Sequence, residues 1–199
     1  MPISINGSGT VTGISVGGLP DGIVDTDMLA AKAATTSKIG NGGIIQVVHA
    51  LKTDRQTITG NLAHATAVEI SGMSCTITPT SSSNKILVLM SLMVGASGDT
   101  TIGGTIRRGT TIVAQSDVDS NRTRNTFGVG NGASSKLWRM TALQCNVLDT
   151  PGSGTHTYTA KIGGNGGVNV YINREGRNSD NNSDTCIATS SLTVMEVVA

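Results

Sequence analysis

The chain is predicted to be mainly β, a β-sandwich or jelly-roll-like domain preceded by an extended N-terminal arm with a short helix, and three observations predict it. From Ile44 onward, apolar runs of about five to twelve residues recur between clusters of Gly, Asn, Asp, Ser and Pro, the spacing of an all-β sandwich or barrel. Glycine supplies 26 of the 199 residues and charged residues only 14%, against roughly 7% and 25% in an average protein. The third observation is a change of character near Gly43, before which the residues are small, Gly-punctuated and free of aromatics. These place the arm at residues 1–43 and the sandwich at 44–199.

In the arm, Ile3, Ile5, Val11, Ile14 and Val16 sit between Gly and Ser positions, which suits short strands and turns, and Leu19-Pro20-Asp21-Gly22 is a turn by residue type. Asp25 or Thr26 can cap a helix through Met28, Leu29, Ala30, Ala31, Ala33 and Ala34, with Asp27 near the positive end of its dipole. A helix of about ten residues with so few large anchors is marginal alone, so it is expected to form against a neighbouring chain or an anchoring surface.

In the domain, strands are predicted at Ile44 to Lys52, Ala67 to Thr78, Lys85 to Val94, Thr101 to Arg107 and Thr111 to Val118. Four more follow at Lys136 to Leu148, Gly154 to Ile162, Asn169 to Asn173 and Ala188 to Val198. Pro79 to Asn84, Arg108-Gly109, Thr150 to Gly154 and Gly163 to Gly167 supply turns between them. In the second strand, Val68 and Ile70 have the opposite parity to Met73, Cys75 and Ile77. A bulge near Ser71-Gly72 would put all five on one face. The last strand is apolar on both faces, with Leu192 and Val194 on one side and Met195 and Val197 on the other, as in a strand that is buried or lies at a subunit interface. The stretch from Asn173 to Thr185, NREGRNSDNNSDT, reads as an exposed loop.

Composition excludes several classes of function. A mean hydropathy of +0.04 with a net charge of +1 is too apolar and too uncharged for disorder. The near-neutral balance gives no summed positive charge for nucleic acid or an anionic membrane. The opening MPISINGSGT has neither the basic start nor the apolar run of a signal peptide, and the longest apolar stretch, Ile86 to Met90, is far short of a membrane span. The expectation is a protein made in a cytoplasm, with no membrane insertion. With only Phe127, Trp138, Tyr158 and Tyr171 as aromatics, the core must come from Val, Ile, Leu, Met and Ala. Cys75, Cys145 and Cys186 are odd in number and lack C-x-x-C spacing, so reduced, packed thiols are expected rather than zinc ligands or disulfides.

Chemistry is sought in several places and none supplies a catalytic, cofactor or metal site. His49, His64 and His156 are far apart, without metal-binding spacing and without a G-x-S-x-G elbow to suggest a triad. Asp117 to Asn121 resembles the start of a calcium loop, but Arg122 stands where that loop needs Gly and Gly128 where it needs Glu. Asp180, Asn181, Asn182 and Asp184 read as solvated loop. The clusters Gly128 to Gly132 and Gly163 to Gly167 lack the Lys-Ser/Thr of a phosphate loop and read as turns. Arg107, Arg108, Arg122, Arg124, Lys136 and Arg139 make a patch without interleaved aromatics, which argues against nucleic-acid binding. A depolymerase would need two carboxylates from among Asp117, Asp119, Glu175 and Asp180 at working separation. A glycan-binding module would stack sugars on Trp138, Tyr158 or Tyr171.

SVGGLPDGIVDTDMLAAKA, Ser15 to Ala33, resembles the N-terminal segment of structural and short tail-fibre proteins of tailed phages, especially cyanophages. GIIQVVHALKTD at Gly43 to Asp54, SGMSCTITPTSSSNKILVLMSL at Ser71 to Leu92, VYINREG and the closing SLTVMEV are similar to the terminal β-domain of that group. The resemblance implies a non-enzymatic virion component assembled in the host cytoplasm, often a homotrimer, anchored to other virion proteins through Met1 to Ala34 with its β-domain projecting. Because no extended shaft separates the two parts, a short tail fibre fits better than a long one. Capsid decoration, a head fibre and a receptor module for host-surface glycan remain alternatives.

Overall fold

The computed structural model describes residues 39–59, 61, 63, 66–131, 139–177 and 186–199, together with two short strands near the N-terminus. The chain falls into two compact units, Met1–Ile39 and Gly40–Ala199. In the first, β1 (Ser4–Ile5) and β2 (Val11–Thr12) pair antiparallel. The helix expected between Met28 and Ala34, and the Leu19 to Gly22 turn, lie outside the described residues.

The second unit is mainly β, two curled antiparallel sheets packed face to face. Among the described residues its helical content is a single 3-10 turn at Asn165–Gly167. The larger sheet is organised on β6 (Lys85–Ala96), whose twelve residues are long enough to serve two partners on one side. There β13 (Ser190–Val197) pairs with Lys85 to Ser91 and β12 (Val170–Ile172) with Val94 to Ala96. Strand β10 (Thr141–Asp149) takes the opposite side, Ile86 to Val94. Beyond β13 lies β3 (Ile44–Lys52), and beyond β12 lies β4 (Gln56–Ile58). The smaller sheet has the order β5 (Val68–Ile77), β11 (His156–Gly164), β7 (Thr100–Arg108), and then a divided edge of β9 (Phe127–Asn131) and β8 (Thr111–Ile112).

The core between the sheets is aliphatic, as the composition requires. Ile86, Val88, Leu92 and Val94 of β6 face Ile70, Met73, Ile106 and Ile162 of the smaller sheet, with Phe127 and Tyr158 as its aromatics. The bulge in β5 is present. Thr159 pairs with Ser74 and Lys161 with Glu69, so the register slips between them, and Gly72 takes φ +76. It turns Ile70, Met73, Cys75 and Ile77 inward, whereas Val68 at the strand's start stays 39% exposed.

Four expectations need correction, the first being that Gly163 and Gly164, expected in a turn, end β11 in register with Gly103 and Ile102, so that turn is Asn165–Gly167 alone. The strand expected over Thr111 to Val118 stops at Ile112, because β9 occupies β7 at Thr100 to Gly104 and the Thr126 hydroxyl takes the Ile106 N–H, so β8 pairs with Arg107 and Arg108 and ends in the bond from Val113 N–H to Ile106 O. For the same reason Gly128 to Asn131 are strand rather than turn: Gly103 and Gly128 face each other in register, and Phe127 covers Gly104. The loop expected from Asn173 begins with three buried residues, Asn173, Arg174 and Glu175. Residues 178–185 lie outside the described set.

Asn173 is buried because it closes the fork in the larger sheet. Between β13 and β12 the backbone of Met93 has no strand to pair with. The Ser190 hydroxyl accepts from the Met93 N–H at 3.0 Å, and the Asn173 N–H donates to the Met93 carbonyl at 2.9 Å. The Asn173 side chain, on a backbone at φ +63, donates to Lys52 O and Asp54 O and accepts from the Ser190 hydroxyl at 2.5 Å. A buried backbone group left unpaired costs as much as a lost hydrogen bond, which explains a polar pin inside an apolar sheet.

Candidate functional site

The residues singled out for chemistry are placed apart, and most are engaged within the fold. His49 is exposed on β3, with Nδ1 2.8 Å from the Thr193 hydroxyl, while His156 is half-buried at the start of β11. His64 and Asp180 lie outside the described residues. Asp117 and Asp119 sit on an exposed loop, where Arg122 pairs with Asp119 at 3.0 Å, so this segment is a self-paired polar turn. Glu175 is buried elsewhere, 4% exposed. Among the described residues no three His, Cys, Asp or Glu side chains gather where a metal could sit. Asn181, Asn182 and Asp184 also lie outside the described residues.

Arg107, Arg108, Arg122 and Arg124 are similarly occupied, whereas Arg139 is exposed. Arg108 Nε lies 2.9 Å from Asp149 Oδ2, an ion pair too bent to be a hydrogen bond, and the same oxygen accepts the Tyr158 hydroxyl at 2.7 Å. Burial, and then the Asp149 hydrogen bond and charge, push the Tyr158 phenol well above its usual range. Arg124 donates to Ser116 O at 2.6 Å, and Arg107 donates to Thr105 and Thr110. Lys136 lies outside the described residues. An arginine already committed to a carboxylate or carbonyl is a weaker phosphate ligand.

Of the aromatics expected to stack on sugars, the two among the described residues do not face solvent. Tyr158 is fully buried, and the Tyr171 ring is covered by the Arg174 guanidinium, 3.6 Å from its centroid. Trp138 lies outside the described residues. The cysteines differ from one another: Cys75 is buried and donates to Leu192 O across the two sheets, Cys145 is half-buried, and Cys186 is exposed. Packing therefore holds for two of the three thiols. All are free, and burial pushes the Cys145 thiol up to about 11.

What remains as a candidate site is a surface. The four long strands of the larger sheet put alternate side chains on an outer face, and their register aligns them in rows across β3, β13, β6 and β10. Val47, Met195, Leu87 and Leu148 form one row, apolar on every strand. Val47 and Leu148 are 56% and 55% exposed, and Leu51, further along β3, is 57% exposed. Beside this ridge lies an open groove of about 390 Å³, lined by Leu89, Ser91, Gln144, Asn146, Ser191 and Thr193. From Val47 to Leu51 and across to β10, the outer face holds no Lys, Arg, Asp or Glu.

The outer face of the smaller sheet is different. It presents Ser74 and Thr76 of β5, Thr157 and Lys161 of β11, and Arg107 of β7, with the Thr76 and Thr157 hydroxyls 2.8 Å apart. Hydroxyls and charges of this kind are what a solvated sheet face carries. The apolar ridge is not legible in single strands, although the two-faced apolar pattern of the last strand is a signal of it.

No protein-family model matches the chain, and no curated protein does. Among solved structures it is similar to the Eiger TNF of S. frugiperda, at 9% identity over 78% of this chain and 93% of that one, with a TM-score of 0.43. It is also similar to a chain of infectious bursal disease virus, Gx strain, at 13% identity over 90% of this chain and 47% of that one, with a TM-score of 0.38. The VP2 subviral particle of the same virus matches at 12% identity, over 77% and 37% of the two chains, with a TM-score of 0.33. Likenesses of this degree carry no function across.

Proposed function

We propose that the chain is a non-enzymatic structural subunit of a phage particle: a short tail fibre that attaches through residues 1–43, projects its β-domain and works as a homo-oligomer, a trimer. The observation that carries this reading is the disposition of polar chemistry. Several of the ionisable side chains that could have formed a site are used inside the fold, as Arg108 and Tyr158 are on Asp149 and Glu196 is on Thr80 and Asn84, while the outer face of the larger sheet, from Val47 to Leu51 and across to β10, carries an apolar ridge and no Lys, Arg, Asp or Glu. Such a protein is equipped to hold a shape and to associate, and the resemblance of Ser15 to Ala33 to phage structural proteins supplies the setting. The covered rings of Tyr158 and Tyr171 weigh against sugar stacking as its main role.

Two measurements on purified particles test the proposal. Deleting Met1 to Ala34 should abolish incorporation while leaving the β-domain folded, and normal incorporation would refute the attachment role. Quantitative mass spectrometry should then count a few copies per particle. Hundreds of copies would replace the fibre by capsid decoration, and absence from particles would end the reading altogether.

A further inference from the structure

We infer that the outer face of the larger sheet is the surface through which copies of this chain associate, the ridge on one copy meeting the groove on the same face of the next copy round the axis of the trimer. The inference rests on the homo-oligomer reading above and names the residues that would make it true. Three features of the face favour a second copy over water.

The first is area. Val47, Leu51 and Leu148 are each more than half exposed. With the half-buried Met195, Leu87, Leu89 and Met93 and the small polar residues between them, the face offers on the order of 700 Å², close to the ~800 Å² per partner of a standard specific interface.

The second is charge. A face that meets its own copy brings every charge against itself or its neighbours, and like charges at an interface destabilise it. From Val47 to Leu51 and across to β10 this face has no Lys, Arg, Asp or Glu, and its Lys85 stands at the rim beyond the ridge, whereas the opposite sheet carries Lys161 and Arg107. A partner selected by charge would find nothing here to read.

The third is shape. The Val47–Met195–Leu87–Leu148 row stands beside the groove lined by Ser91, Ser191, Gln144 and Asn146. A surface with a ridge next to a groove can be self-complementary, the ridge of one copy entering the groove of the other. The lining hydroxyls and amides can then bond across the contact without burying a charge.

Light scattering on the full chain tests this. The wild-type protein should run as a multiple of the mass of one chain. Val47→Glu with Leu148→Glu should run at the mass of a single chain with an unchanged far-ultraviolet circular dichroism spectrum, and Ser74→Glu on the opposite sheet should remain a multimer. Should the double variant misfold, Gln144→Arg with Asn146→Arg replaces two exposed polar residues on the same face and should dissociate the protein as well, because it would bury unpaired charge. If folded variants of this face stay multimeric, the face is wrong and the homo-oligomer reading survives. If the wild-type protein is a monomer, both fall.

Discussion

Replacing Glu196 with alanine should lower the melting temperature of the β-domain by about 5–15 °C, and the size of the effect follows from what its carboxyl group holds. Glu196 is fully buried on β13. Its Oε1 accepts the Thr80 N–H at 2.7 Å, the Thr80 hydroxyl at 2.8 Å and the Asn84 amide at 2.7 Å, which fastens the turn between β5 and β6 to the end of the last strand. Alanine removes the acceptor shared by the Thr80 N–H, the Thr80 hydroxyl and the buried Asn84 amide, and the amide keeps only its 3.3 Å bond to the Thr80 hydroxyl. The lost hydrogen bonds to a charged acceptor are worth about 1–3 kcal/mol each. A partial offset comes from Oε2, which is buried without a hydrogen-bond partner among the described residues, as is Oε1 of Gln46, its register partner on β3. Removing that oxygen relieves a burial cost, so the net loss should be about 2–4 kcal/mol. In a domain of about 160 residues each kcal/mol moves the midpoint by roughly 2–4 °C. Glu196→Gln keeps an acceptor at Oε1 and should lose less than half as much. Calorimetry of the three proteins decides it. An alanine variant within about 2 °C of wild type, or a glutamine variant as damaged as alanine, would refute the assignment of stability to Oε1.

Gly104→Ala should destabilise by about 3 kcal/mol, since its Cβ would fall onto Lys161 O of the paired strand and 2.5 Å from the Phe127 ring, neither of which can move without breaking the sheet. A lower urea midpoint at unchanged slope is the expected result. In alkali, stability should hold up to about pH 9 and fall as pH rises towards 11. The Cys145, Cys75 and Tyr158 groups all have raised folded values through burial, so the unfolded chain releases their protons first. A melting temperature that rises between about pH 9 and 10.5 would contradict this sign. Iodoacetamide at about pH 8 should modify Cys186 rapidly and leave Cys75 and Cys145 until the domain is unfolded, a sequence that peptide mass spectrometry reads directly.

The extent to which the sequence anticipated this molecule differs from element to element. Ile44 to Lys52 was legible as a strand to the residue, and Lys85 to Val94 within two residues, because a long β-branched and aliphatic run bounded by turn residues has few other outcomes. The β5 bulge was legible because a parity change at a glycine leaves no other way to keep Ile70 and Met73 on one face. The strands at Gln56–Ile58 and Phe127–Asn131 were missed. Three residues carry no period, and FGVGN owes its strand to the glycines of β7 opposite it rather than to any propensity of its own.

The sequence by itself determined that the protein is a β-sandwich with an aliphatic core and no catalytic signature, because periodicity, turn chemistry and composition are local properties that any neighbouring structure must respect. Only the tertiary structure decided which residues meet. Asn173 became the pin of a forked sheet, Glu196 a buried clamp, and Val47, Met195, Leu87 and Leu148 a single ridge. Those four are scattered along nearly the whole length of the β-domain sequence. Pairing between distant strands, not the content of any one of them, aligns them, so the surface was written in the register and could not be read before it.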